Sequence, residues 1–132
     1  MAMPDVAELE AAGVLYDEGR ERMNAGDLDG AIDAFSRSAR VMAHFKTLEL
    51  LGECHVRAGR LADAIVPLAA ATTLNDQVRA PALLAETLLR LGQREQARRI
   101  ALLALSRGAT NRKAREVLRQ TDDLGPLYDK SF

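Results

Sequence analysis

The apolar residues of this chain recur at helical rather than alternating spacing. Leu48, Leu51, Gly52 and His55 fall at i, i+3, i+4 and i+7, one face of a helix that ends at Gly59. Ala64, Leu68 and Ala71, with Ile65 beside them, give a second one-sided helix running to about Leu74. A turn of only a few residues between two such helices forces them to pack antiparallel, so the unit is a helical hairpin. The unit repeats. The heptapeptides starting at Gly26, Gly59 and Gly92 align without gaps at a spacing of 33, each with Gly first and Ala sixth (Ala31, Ala64, Ala97). Seven residues before each glycine stands a small residue, Gly19, Gly52 or Ala85, and four after each alanine stands Phe35, Leu68 or Ala101. The small residues are placed where the paired helices approach closely, and a larger side chain there overpacks the crossing.

The period predicts hairpins over about 5–42, 45–75 and 79–108, with Pro4 and Pro81 as helix-start prolines. After Gly108, Thr110 is positioned to cap a last helix over about 110–121, with Ala114, Val117 and Leu118 on one side and basic residues elsewhere. Stacked hairpins leave an apolar face open at each end, and a one-sided, otherwise charged helix closes it. Residues 1–121 are therefore expected to form one domain. An irregular tail follows over 122–132, in which Leu124, Leu127, Tyr128 and Phe132 are apolar enough to dock on the capping helix or in a neighbour's groove. Pro67 is out of place, more than a turn inside its helix, where it removes a backbone hydrogen bond.

The small residue in the first helix, Gly at the turn, Ala five later, a bulky residue four after that and Ala again (Ala71, Ala104) resemble the tetratricopeptide repeat, in three copies over residues 12–108. The family's usual aromatic positions are held here by Leu15, Leu48 and Pro81 and by Arg22, His55 and Leu88, and the period is one residue shorter than the family's common one. The resemblance implies an all-α fold, a short right-handed α-solenoid of stacked antiparallel hairpins with a C-terminal capping helix. It also implies a non-catalytic interaction module or adaptor that binds a peptide or helix of a partner protein. By the same resemblance the first helix of each hairpin lines a concave groove, which places Tyr16, Arg20 and Met23, then Lys46, Glu49, Leu50, Glu53 and Arg57, then Arg79, Leu83, Glu86 and Arg90 on that surface. Apolar anchors mixed with both signs of charge suit an extended peptide or a helix. Some members of the family clamp a C-terminal carboxylate with basic and amide side chains. Tyr16, Arg20, Leu50, Arg79 and Leu83 stand at those places, the amides are missing, and a different ligand class is expected.

Composition narrows the function classes. Ala and Leu make up a third of the 132 residues while Val, Ile and Thr supply only 16, which excludes an all-β fold. The single cysteine, Cys54, excludes an internal disulfide framework. Cys54 and His55 are adjacent and point about 100° apart on a helix, so they cannot share a metal, and His55 reads as a core residue. No metal-ligand spacing, glycine-rich phosphate loop or nucleophile elbow is present, so neither a cofactor nor an enzyme is expected. The most apolar run, Ala64 to Ala71, is short and broken by Pro67, no basic-then-apolar leader opens the chain, and a cytoplasmic protein is expected.

A net charge of −1 conceals polarity. Residues 1–33 carry nine acids against two bases, and residues 90–132 carry ten bases against five acids. Arg94, Arg98, Arg99, Arg112, Lys113, Arg115 and Arg119 form a candidate basic patch in the last hairpin and capping helix. The alternative function class follows from it, a nucleic-acid-associated or self-assembling scaffold protein using the basic C-terminal face. Aromatic residues for base stacking are absent from this stretch, so an acidic protein surface is the expected partner rather than RNA. The acidic head of a second copy is such a surface. That contact would be heterologous, producing homo-oligomeric chains or rings, and would weaken as salt screens exposed charges over about 8 Å.

Overall fold

In the computed structural model, which describes residues 2–125, every regular element is helical. Two compact units follow one another, the first ending at Leu74 and the second beginning at Asn75. No described helix is long and apolar enough to cross a membrane.

The first unit holds α1 (Val6–Asn24), α2 (Leu28–Val41), α3 (Phe45–Arg57) and α4 (Leu61–Leu74), packed in chain order as α1 on α2, α2 on α3 and α3 on α4. Capping sets the starts. Asp5 Oδ1 accepts from Glu8 N at 2.8 Å and Asp27 Oδ1 from Gly30 N at 3.0 Å, satisfying donors that an α-helix leaves orphaned in its first turn. Pro4 therefore precedes the cap rather than opening the helix. The ends are set by glycine. Gly26 has φ +83°, Gly26 N donates to Met23 O at 3.1 Å and Asp27 N to Arg22 O at 2.8 Å, a Schellman motif that any Cβ would strain. The same pair of bonds recurs at Gly59 and Gly92, which is why the hairpin period is legible as a glycine spacing.

Within each hairpin of this unit one glycine lets a large side chain across. A Cβ built on Gly19 would lie 2.6 Å from Phe35 Cε1, and one on Gly52 would lie 2.5 Å from Leu68 Cγ. The crossing thus pairs the small residue with the bulky residue of the second helix, and Phe35 and Leu68 are fully buried. Ala31, Phe35, Leu50, Leu51 and Cys54 form the core around that crossing, with Tyr16, Met23, Leu28 and Ile32 packed against it. Cys54 is wholly covered, and burial pushes its thiol up to about 11. Pro67 is buried inside α4, which runs on past it to Leu74.

The second unit holds α5 (Arg79–Arg90), α6 (Arg94–Arg107), α7 (Arg112–Gln120) and a 3₁₀ turn over Asp122–Leu124. α7 packs on both α5 and α6 through Ala114 and Val117. Its cap is Asn111 rather than Thr110, because the Asn111 Oδ1 accepts from Ala114 N at 3.0 Å while Thr110 lies one residue too early and is exposed. In this hairpin the crossing positions hold Ala85 and Ala101, both fully buried, so a Gly-and-large pair is exchanged for two alanines. Leu127, Tyr128 and Phe132 of the expected tail lie outside the described residues.

Candidate functional site

The first unit contains a cavity of about 400 Å³ where α1, the end of α2 and the start of α3 meet. Leu9, Ala12, Gly13, Tyr16 and Asp17 line it from α1, spaced so that they share one face of that helix. Ser38 and Met42 close it from the end of α2, and His44, Lys46 and Thr47 from the start of α3. Gly13 opens the wall, since nothing described lies within 4 Å of a Cβ built there. The floor is sealed by Ser38, 2% exposed, whose Oγ donates to Ala12 O at 2.8 Å and ties α2 to α1. Leu9 and Met42 stand half open at the mouth and give it an apolar rim.

Charge sits on two sides of this mouth. Asp17 is exposed on α1, and Lys46 stands on α3 with its Nζ 3.6 Å from Glu49 Oε1. His44 caps α3 by accepting from Lys46 N at 3.1 Å through Nδ1, and its ring stacks on Phe45 at 4.8 Å between centroids. No acid occupies the first turn of α3, so the positive end of the helix dipole is uncompensated there. Tyr16 packs on Phe35 with ring centroids 5.9 Å apart, and the Arg20 guanidinium lies over the Tyr16 ring at 5.9 Å.

The structure brings Tyr16 and Lys46 to one cavity, with Arg20 against the Tyr16 ring. Met23 is half-buried against the core instead. Glu53 and Arg57 lie farther along α3, where Arg57 Nε approaches Glu53 Oε1 at 3.9 Å. Three residues expected to face a partner are covered: Glu49 is 1% exposed, Leu50 7% and Leu83 8%. Leu50 belongs to the core around Phe35 and Cys54, so it is not an open anchor. On α5 of the second unit, Arg79 and Arg90 are exposed and Glu86 is partly buried, with Lys113 Nζ 3.7 Å from its Oε2. Residues that the sequence did not single out, Leu9, Ala12, Gly13, Ser38, Met42, His44 and Thr47, supply most of the cavity. The Leu9, Ala12, Tyr16 spacing on α1 was the one signal of them available in the sequence.

Much of the basic patch serves the second unit itself. Arg94 holds Asp123 Oδ1 at 2.6 Å and Gln120 O at 2.8 Å, and Arg98 donates to Leu118 O at 3.2 Å. Both arginines thus satisfy or approach the carbonyl end of α7, where a cation is favoured. Arg119 pairs with Glu116, whose carboxyl is held down to about 2 by hydrogen bonds from Arg119 and Gln120. Arg99, Arg112 and Arg115 are exposed. Among the described residues no group of three or more His, Cys, Asp or Glu side chains could hold a metal ion.

No family model matches the chain, and no curated protein matches it. Solved structures do. The first tetratricopeptide-repeat domain of Spaghetti, bound to the HSP90 peptide SRMEEVD, superposes with a TM-score of 0.82 at 20% identity, covering 94% of this chain and 98% of that one. The corresponding domain of Arabidopsis OM64 gives 0.80 at 13% identity over 89% and 98%. The Yersinia enterocolitica type III secretion chaperone SycD, in complex with a peptide of the translocator YopD, gives 0.70 at 20% identity over 85% and 87%. Three glycine- or alanine-crossed hairpins, a closing helix and these likenesses agree: the chain has the tetratricopeptide-repeat fold.

Proposed function

We propose that this chain is a non-catalytic cytoplasmic adaptor that takes a peptide or helix of a partner protein against the α1 and α3 face of its first unit. The carrying observation is the apolar cavity of about 400 Å³ between those helices, with Leu9 and Met42 at its mouth and opposite charges at Asp17 and Lys46. Its size falls in the range of about 300–1,000 Å³ typical of ligand pockets, and its apolar lining with a few polar groups suits a side chain better than a charged metabolite. Spaghetti and SycD, which share the fold, are both known with peptides bound. The nucleic-acid reading loses ground because Arg94, Arg98 and Arg119 are engaged inside the second unit.

The probe is Leu9→Asp, which places a carboxylate at the rim on a residue that is 41% exposed and outside the core. Partners captured from the host by the wild-type chain are expected to be lost with Leu9→Asp while the melting curve stays put. Recovery of the same partners with both proteins would move the site elsewhere. Leu50→Asp and Leu83→Asp are unsuitable for this purpose, because they bury a charge and unfold the chain instead of blocking a surface.

A further inference from the structure

We infer that the cavity of the first unit is a receptor for the segment Leu127-Tyr128-Asp129-Lys130 of a second copy of this chain. The inference goes beyond the adaptor reading, since it names a ligand carried by the chain itself.

Three features of the cavity define what fits. Its mouth is apolar, with Leu9 and Met42 above the Ala12 and Ser38 floor, so the occupant must offer a large apolar or aromatic side chain. Two buried hydroxyl residues line it, Ser38, whose Oγ is spent on Ala12 O, and Thr47. Thr72, Thr87 and Thr121 each donate to the carbonyl four residues back, at 2.8, 2.7 and 2.8 Å. Thr47 is 3% exposed but sits in the first turn of α3, where the carbonyl four residues back belongs to Ala43 in the connecting loop, and it makes no such bond. The occupant therefore gains by bringing a polar tip to Thr47, as a tyrosine hydroxyl does. The mouth finally carries a cation, Lys46, whose Nζ also lies 3.6 Å from Glu49 Oε1, and an anion, Asp17.

The sequence holds one matching segment. Leu127 and Tyr128 provide the apolar side chain and the hydroxyl, and Asp129 and Lys130, next to each other, meet Lys46 and Asp17 with complementary signs. The basic surface of a second copy complements the acidic face beside this cavity. Glu8, Glu10, Asp17 and Glu21 are exposed on α1, and Arg112 and Arg115 are exposed on α7 shortly before the segment. A pocket on one copy filled by the tail of the next is a heterologous contact, which propagates into chains or closes into a ring.

Sedimentation equilibrium of the full chain at low salt, from about 20 μM to about 1 mM, tests this directly. The average mass is expected to climb above 14.4 kDa with concentration, and less so in high salt. Gly13→Leu fills the cavity from a position where a Cβ meets open space, and Tyr128→Asp removes the ligand. Each variant alone is expected to stay monomeric with an unchanged or raised melting temperature. Their equimolar mixture is expected to form a 1:1 dimer, because each supplies what the other lacks. A wild-type chain that stays monomeric throughout, as it would with its own tail in its own pocket or with only a foreign ligand, overturns the inference. So does self-association that survives Gly13→Leu. Loss by Leu9→Asp of captured proteins other than this chain is scored separately and bears on the adaptor reading.

Discussion

The two units obey one sequence period and end up differently. α1 buries only Ala12 and Gly19 of its 19 residues, whereas α5, at the equivalent place in its hairpin, buries eight of 12. The difference lies in neighbours rather than in the repeat. α7 covers α5, and Arg94 and Arg98 tie the far end of α7 down, so the second unit spends its polar groups on itself. In the first unit Gly13 and the Met42-to-Thr47 stretch leave a cavity with an apolar mouth. Repeat position therefore predicts the scaffold, and what packs on it decides which face is left for a partner.

The crossings offer the strongest way to break this comparison. Gly52→Leu drives a side chain into Leu68 and should cost about 3 kcal/mol or more, beyond the usual overpacking range because the clash starts at Cβ. That is a fall of roughly 10 °C in melting temperature for a chain of this size. Gly52→Ala with Leu68→Ala, which copies the third hairpin's pairing, should lose less than the sum of the two single losses, because each removes the other's conflict. Ala85→Gly in the second unit, where the position matching Leu68 is Ala101, should cost only about 0.5–1 kcal/mol. Equal effects at Gly52 and Ala85 would mean that the two crossings do not differ as described.

A smaller effect separates the units by pH. His55 in the first unit corresponds to Leu88 in the second, and the His55 Nδ1 is buried with no hydrogen-bond partner among the described residues. Burial lowers its pKa below 6.5, with the Asp63 carboxylate opposing the shift and Arg60 adding to it. The unfolded chain thus binds this proton more readily than the folded one. The stabilisation is complete above pH 6.5 and is lost as pH falls from 6.5 through the lowered folded value. Denaturant melts between pH 7 and pH 5 should show that loss in the wild type and a shallower slope in His55→Gln. Identical slopes would place the titration elsewhere.

The sequence made the scaffold readable and the site only partly so. Gly26, Gly59 and Gly92 mark the Schellman turns because no other residue takes φ near +80° without strain, and that fixed the helix pairs closely. Small residues at Gly19 and Gly52 announced close crossings, and the side chains that press on them are Phe35 and Leu68. The cavity was hidden for a physical reason. It exists where three segments distant in sequence meet, and its key members, Gly13, Ser38 and Thr47, carry no distinctive chemistry until Ser38 bonds to Ala12 and α3 begins beside them. Charge misled most. Glu49 looked like a surface acid and is buried, and Arg94 and Arg98 looked like a patch and hold a helix end.

Binding of another polypeptide at the α1 and α3 cavity of the first unit is what everything proposed for this chain depends on. Its most direct test is calorimetric titration of a purified partner, once captured, against the wild-type chain and Gly13→Leu side by side. Gly13→Leu is expected to bind at least tenfold more weakly, with a melting temperature no lower than that of the wild type, because the added side chain occupies the cavity and nothing else. Equal affinity in the two proteins would contradict it.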